Sequence, residues 1–196
     1  MRWVVFDFGQ VLGLRTEKVP ELAGRVGLPL AEFEARYWAN RAEYDLVGDD
    51  LGYWRAVAGD GVDASFAAEL TEADEAGWLS VDPAALALVV ELHGRGVPLA
   101  ILSNAPGSFG RAVEAQPWAK YFRTLLFSAD LGVTKPDRAI YETLLDRIDA
   151  DPADCFFTDD RQANVDGAIA AGLPAARWLG ADALRKDLVE FGVLDQ

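Results

Sequence analysis

Five short apolar runs divide this chain: Trp3–Phe6, Val97–Leu102, Thr124–Phe127, Cys155–Thr158 and Ala175–Trp178. None alternates with polar residues as a half-exposed strand would, and all are too short for buried helices. All five read as strands, and Trp3–Phe6 and Cys155–Thr158 as strands buried on both faces, the pattern of a parallel sheet. Helical segments separate them. Asp82 followed by Pro83 makes an N-cap and first helical position, with Gly94 as the stop. A short helix is predicted around Gly110–Ala115, and another from the loop Gly132–Asp137 to about Ile148. Two more follow, one ending near Gly172 and one from about Asp182 to Phe191. Strand–helix repetition of this kind implies a parallel sheet with right-handed crossovers, so the predicted class is α/β, a doubly wound sheet.

Residues 15–80 interrupt that rhythm. They hold no buried-strand pattern and instead suggest helices near Glu17–Val26, Leu30–Asn40, Leu51–Ala58 and Ala64–Trp78. The organisation expected is therefore an α/β core from residues 1–14 and 81–196, with a small helical cap, residues 15–80, inserted after the first strand.

Composition narrows the function classes. The chain has 196 residues, half of them hydrophobic, and a formal charge of −14. Nucleic-acid binding would want a basic face, so no nucleic-acid partner is expected. A single cysteine, Cys155, excludes an intrachain disulfide framework and a cysteine-based zinc site, and its apolar strand marks it as packing. No secretory apolar region precedes the first strand, and no apolar stretch is long enough to span a bilayer. The expectation is a cytoplasmic protein without membrane association, either monomer or homodimer.

The polar residues just beyond the strands carry the chemistry. Asp7 follows the first, Ser103-Asn104 the second, Asp159-Asp160 the fourth, and Lys135 lies in the loop after the third. Parallel strands bring these ends to one edge of the sheet, where open α/β sheets bind ligands. An acidic pocket there calls for a cation. A carboxylate nucleophile, a hydroxyl, an ammonium and oxygen ligands for Mg²⁺ together suit phosphoryl transfer to and from a small-molecule phosphate ester.

Phe6-Asp7-Phe8-Gly9-Gln10-Val11, Leu102-Ser103-Asn104, Thr134-Lys135-Pro136-Asp137 and Phe157-Thr158-Asp159-Asp160, with Asn164 and Ala168 following, resemble the four motifs of the haloacid dehalogenase-like (HAD) superfamily. The insertion after strand one resembles that family's C1 cap, and the Asp-x-Gly first motif is similar to that of bacterial sugar-1-phosphate phosphatases. The resemblance implies a magnesium-dependent phosphatase with a Rossmann-like core. Asp7 would be the nucleophile, forming an aspartyl-phosphate, and also a metal ligand. Ser103 would donate to a phosphoryl oxygen, with Asn104 supporting the pocket. Lys135 would neutralise Asp7 and the transferring group. Asp160 would bind Mg²⁺ directly, Asp159 through water or by holding Lys135, and Gly9 through its backbone carbonyl.

One position departs from that pattern. Family phosphatases usually carry a second Asp two residues after the nucleophile, as acid and base; here it is Gly9. Losing that proton transfer costs on the order of 10²–10⁴-fold if nothing substitutes. Three outcomes stand open: a substrate with a good leaving group, a cap residue that supplies the proton, or a slow or inactive protein. A catalytically reduced binding or regulatory protein and a 2-haloacid dehalogenase are therefore carried as alternatives. A two-component receiver is disfavoured, because its acid pair precedes the phosphorylated Asp.

Other residues have plainer readings. His93 is the single histidine and sits at a helix end far from the strand tips, which disfavours any histidine-base mechanism. Asp130 is expected to be structural. Arginines mix with aromatics at Arg36–Arg41, Tyr44 and Tyr53–Arg55. That mixture is either cap packing with solvated arginines or a substrate lid in which Arg41 or Arg55 meets a second anionic group.

Overall fold

The computed structural model describes residues 1–195. Five parallel strands, β1 (Trp3–Phe6), β2 (Leu99–Ser103), β3 (Thr124–Phe127), β4 (Cys155–Asp159) and β5 (Ala175–Arg177), lie in the order β3-β2-β1-β4-β5. Both faces of the central strands are buried, which explains their unbroken apolar runs. Side chains alternate between two cores. Val4, Phe6, Leu99 and Ile101 pack under α6 (Pro83–Gly94), α7 (Gly107–Glu114) and α11 (Ala181–Glu190). Trp3, Val5, Ala100, Leu102 and Phe157 pack against α9 (Arg138–Ile148) and α10 (Gln162–Ala170). Each fully buried Leu or Phe in these layers contributes about 1.5–3 kcal/mol relative to exposure.

Strand β2 starts at Leu99, two residues later than the apolar run suggests. Val97 is used instead to close α6, its N–H donating to the Leu92 carbonyl behind Gly96 in the left-handed region (φ 78°). Asp82 caps α6 by accepting from the N–H groups of Ala84 and Ala85.

Residues 19–78 fold as five helices: α1 (Val19–Val26), α2 (Leu30–Ala39), α3 (Arg41–Val47), α4 (Asp50–Ala58) and α5 (Ala64–Trp78). They enclose a third hydrophobic cluster around Leu22, Phe33, Tyr37, Tyr53, Trp54 and Leu70. Trp54 is fully buried, and its indole N–H donates to Thr71 Oγ1 at 2.8 Å. Helix α3 is one more than the apolar periodicity shows. It is a two-turn segment between Asn40 and Gly48, and contact with the core rather than a long apolar stripe holds it. Gly48 ends α3 at φ 71° and approaches Ala129 of α8 (Ser128–Leu131), a further short helix the pattern does not reveal. Among the described residues, no helix is long and apolar enough to cross a membrane.

Candidate active site

The register of the central strands builds the site. Phe6 pairs with Thr158, so the next residues, Asp7 and Asp159, emerge side by side. The Asp7 N–H donates to the Thr158 carbonyl at 2.9 Å, tying the two strand ends together. Both carboxylates are almost completely buried. Between them lies the equally buried Lys135 ammonium, which donates to Asp7 Oδ1 (2.8 Å), Asp159 Oδ2 (2.6 Å) and the Leu102 carbonyl (2.8 Å). All three ammonium protons are used, so the charge sits at one fixed point.

Asn104 fixes the Lys135 loop. Its side-chain amide donates to the Lys135 carbonyl (2.9 Å) and accepts from the Lys135 N–H (2.8 Å). The side chain is thereby turned toward backbone, so its contribution to the pocket is to hold Lys135. Asp159 is similarly committed. It accepts from Asn164 Nδ2 (3.0 Å to each oxygen) and from the Arg161 N–H (2.8 Å), besides Lys135. Ser103, at the end of β2, is buried and lines the same cavity. Gly9 and Gln10 line it too, and Gln10 Nε2 donates to Asp160 Oδ2 at 3.3 Å.

Asp7, Asp159 and Asp160 each present an oxygen, and these atoms lie within 4.8 Å of one another. Three carboxylates against one ammonium leave a surplus of two negative charges when all are ionised. Burial, opposed by Lys135 and reinforced by Asp159, pushes the Asp7 carboxyl up to about 6. Burial and then the Asp159 charge also raise Asp160. An all-oxygen donor set with excess negative charge fits a hard divalent cation such as Mg²⁺, and Asp160, half-buried and facing the cavity, keeps the more open position.

The cavity has a volume of about 630 Å³. Its far wall comes from the helical insertion: Trp38, Arg41, Ala42, Asp45 and Trp78 face the strand ends, with Phe109 from α7. Arg41 is not free to meet an anion. Its guanidinium donates to Asp45 Oδ1 (2.8 Å), Asp74 Oδ2 (3.1 Å) and the Tyr37 hydroxyl (3.0 Å). Arg55 lies elsewhere, its Nε donating to the Val62 carbonyl within the insertion. Asp45, Phe109 and Arg161 are lining residues that sequence reading passed over, and Asp45 is the carboxylate among them. For Asp45 the available signal was its spacing four residues after Arg41, which places the two on one helical face. His93 pairs through Nδ1 with the Tyr121 carbonyl, and Asp130 binds Arg111 at 2.6 Å; neither lines the cavity.

Known proteins resemble this chain to different extents. A sesquiterpene phosphatase of Aspergillus oryzae is 35% identical over 98 residues, half of each chain, so this chain spans only about half the length of that relative. A phosphoglycolate phosphatase of Rhodospirillum rubrum is 28% identical over 187 residues, covering 87% of this chain and 76% of the relative. In structure, the L-2-haloacid dehalogenase of Xanthobacter autotrophicus superposes with a TM-score of 0.74 at 23% identity, covering 100% of this chain and 85% of that one. Residues 1–172 match the haloacid dehalogenase-like hydrolase family, so most of the sheet and every residue around the strand-tip carboxylates fall within the match, and the chain belongs to that family.

Proposed function

We propose that this protein is a magnesium-dependent phosphatase of a small phosphorylated metabolite, working through an aspartyl-phosphate on Asp7. The observation that carries the reading is the buried Lys135 ammonium held between Asp7 and Asp159 beside a third carboxylate, Asp160. An ordinary structural ion pair needs one carboxylate; three, opening into a cavity, suit a site that accepts a cation together with a phosphoryl dianion. The phosphatase relatives support the same reading.

Asp7 attacks phosphorus with a carboxylate oxygen as the ester P–O bond breaks, and the phosphoryl group passes to Asp7. Water then attacks that phosphorus, the bond to Asp7 breaks, and inorganic phosphate leaves. Lys135 keeps Asp7 ionised despite its burial and balances the oxygens of the transferring group. The Ser103 hydroxyl serves as a donor to a phosphoryl oxygen. Asp7, Asp160 and the Gly9 carbonyl would hold Mg²⁺, with Asp159 placed behind them to hold Lys135. The ion's contribution is to neutralise charge shared between carboxylates and phosphate.

The helical insertion, residues 15–80, is read as a cap over the core made by 1–14 and 81–196. Its wall offers indole faces and a carboxylate rather than a free cation, because Arg41 is already shared between Asp45 and Asp74. That favours a neutral polyol or sugar portion where the substrate meets the insertion; Arg161, beyond β4, also lines the cavity and is the cation left for a second anionic group. Hydrolysis of p-nitrophenyl phosphate with and without Mg²⁺, in wild type and Asp7→Asn, tests the reading. Magnesium-dependent release abolished by Asp7→Asn is expected; release that survives Asp7→Asn removes the assigned nucleophile. A dehalogenase would instead release halide from 2-chloropropionate without added metal, and no such release is expected.

A further inference from the structure

The missing carboxylate at position 9 leaves the leaving oxygen without a proton donor. The cavity's lining residues contain few groups able to supply one. Its ionisable side chains are Asp7, Arg41, Asp45, Lys135, Asp160 and Arg161. Asp7 is the nucleophile, Asp160 is assigned to the cation, and Lys135 has all its protons committed to oxygens. Arginines do not lose protons at working pH. Asp45 remains.

We propose that Asp45, carried by the helical insertion, is the acid–base residue of this site and replaces the carboxylate absent at Gly9. The inference rests on the aspartyl-phosphate reading above. Asp45 lines the same cavity as Asp7, from the insertion rather than from the strand tips, and on this proposal the leaving group of a substrate held at Asp7 extends toward it. Its backbone is fixed to the core: Ser128 Oγ, which accepts from the Ala105 N–H, donates to the Asp45 carbonyl. A second tie lies nearby, where Ser108 of α7 donates to Asp50, which also accepts from Tyr44. A proton donor on a mobile cap would be out of place for much of the time; this one is pinned next to the catalytic edge.

Asp45 is also suited chemically. Burial, opposed by Arg41 and reinforced by Asp74, pushes its carboxyl up to about 6, near the pH where a group can both give and take a proton. The charged groups that face it are Arg41 on its own helix, Asp74 from α5 and Arg161 beyond β4. Asp50 of α4 is taken by Tyr44 and Ser108, and Asp130 of α8 by Arg111. In the first half-reaction the Asp45 carboxyl gives its proton to the ester oxygen as the P–O bond breaks. In the second, the resulting carboxylate takes a proton from the water whose oxygen attacks the aspartyl-phosphate, which restores the acid.

The test compares an alkyl phosphate, whose leaving alkoxide needs a proton, with p-nitrophenyl phosphate, whose phenolate needs little help. Asp45→Asn, which keeps an acceptor for Arg41, is expected to lower kcat on the alkyl ester about 10²-fold and on the aryl ester far less. It should also remove the descending, alkaline limb of the alkyl-ester profile, which the loss of the Asp45 proton sets, and leave the acid limb that ionisation of Asp7 sets. Gly9→Asp on the Asp45→Asn background should restore alkyl turnover; a Cβ at Gly9 meets no heavy atom within 4 Å, so the carboxylate has room. Asp45→Glu, which retains the acid, should keep most of the alkyl-to-aryl ratio even if Asp45→Asn folds poorly. Carboxyl ¹³C NMR of the metal-free protein gives an independent readout: Asp45 should titrate near pH 6. Equal losses on both esters, a loss confined to KM, or an Asp45 already ionised at pH 5 overturns the inference alone. No phosphate release from any ester by the wild type overturns the phosphatase reading with it.

Discussion

Replacing Lys135 with Met would strand Asp7 and Asp159, two buried carboxylates now held together by one ammonium 2.8 and 2.6 Å away. Breaking a buried ion pair by removing one partner costs about 3–5 kcal/mol, because the remaining charge has neither solvent nor counter-ion. The Leu102 carbonyl also loses its side-chain donor, a further loss of roughly 1 kcal/mol. At about 2–4 °C per kcal/mol for a chain of this size, the combined loss of about 4–6 kcal/mol lowers Tm by roughly 8 °C at the least and roughly 24 °C at the most. The measurement is thermal unfolding by circular dichroism at pH 7.5 in EDTA. The pH dependence has a definite sign. Without Lys135 the Asp7 carboxyl, already raised by burial, loses the charge that opposes that rise and is held further above its unfolded value, so the folded state binds more protons. Stability then rises as pH falls from the folded value toward about 4, and the deficit shrinks. Asp159→Asn added to Lys135→Met removes the second charge while keeping the shape, so it should recover part of the Tm and none of the turnover. A single Lys135→Met variant that melts within 2 °C of wild type in EDTA (~2 °C being the effect of less than 1 kcal/mol) would refute the argument that this ammonium offsets the carboxylate repulsion.

Three other perturbations probe the supports of the site. Asn104→Asp keeps the acceptor for the Lys135 N–H but turns the donor to the Lys135 carbonyl into a repulsive oxygen; turnover should fall at least about tenfold, the equivalent of one lost polar contact of roughly 1.4 kcal/mol, with the far-ultraviolet spectrum unchanged. Gly167→Ala should cost about 1–3 kcal/mol in urea unfolding and slow turnover, since its Cβ would meet the Pro136 carbonyl oxygen at 2.7 Å and press on the loop that carries Lys135. Trp54→Ala removes the largest side chain of the insertion's core and should cost about 3–5 kcal/mol, read as a lowered denaturation midpoint with alkyl-ester turnover lost before the sheet unfolds.

Local composition determined much of the molecule. Trp3–Phe6 and Cys155–Phe157 are apolar on both sides and too short for buried helices, which marks them as buried parallel strands, and parallel strands present their carboxyl ends on one edge. Asp7, Ser103, Lys135 and Asp159-Asp160 were legible as candidates because each stands at such an end. What they do to one another was decided by register and packing. Lys135 reaches Asp7 across 128 residues of chain, and Asn104 grips the Lys135 backbone across 31; no local pattern encodes either contact.

The insertion was the less legible part, for a related reason. Its short helix α3 has too few apolar positions to show a period, and it is stable because Gly48 lets it approach Ala129 and because Ser128 bonds to the Asp45 carbonyl. Arg41 looks in sequence like a free cation for an anionic substrate. Only packing against α5 brings Asp74 to it, spending the charge on two carboxylates and turning the cavity wall from basic to acidic. Sequence thus determined the strands and the kinds of groups at their tips, through burial and turn chemistry acting over a few residues. Tertiary structure decided which charges are neutralised and which face the cavity, because electrostatic partnership in a buried site depends on distances that only the folded chain sets.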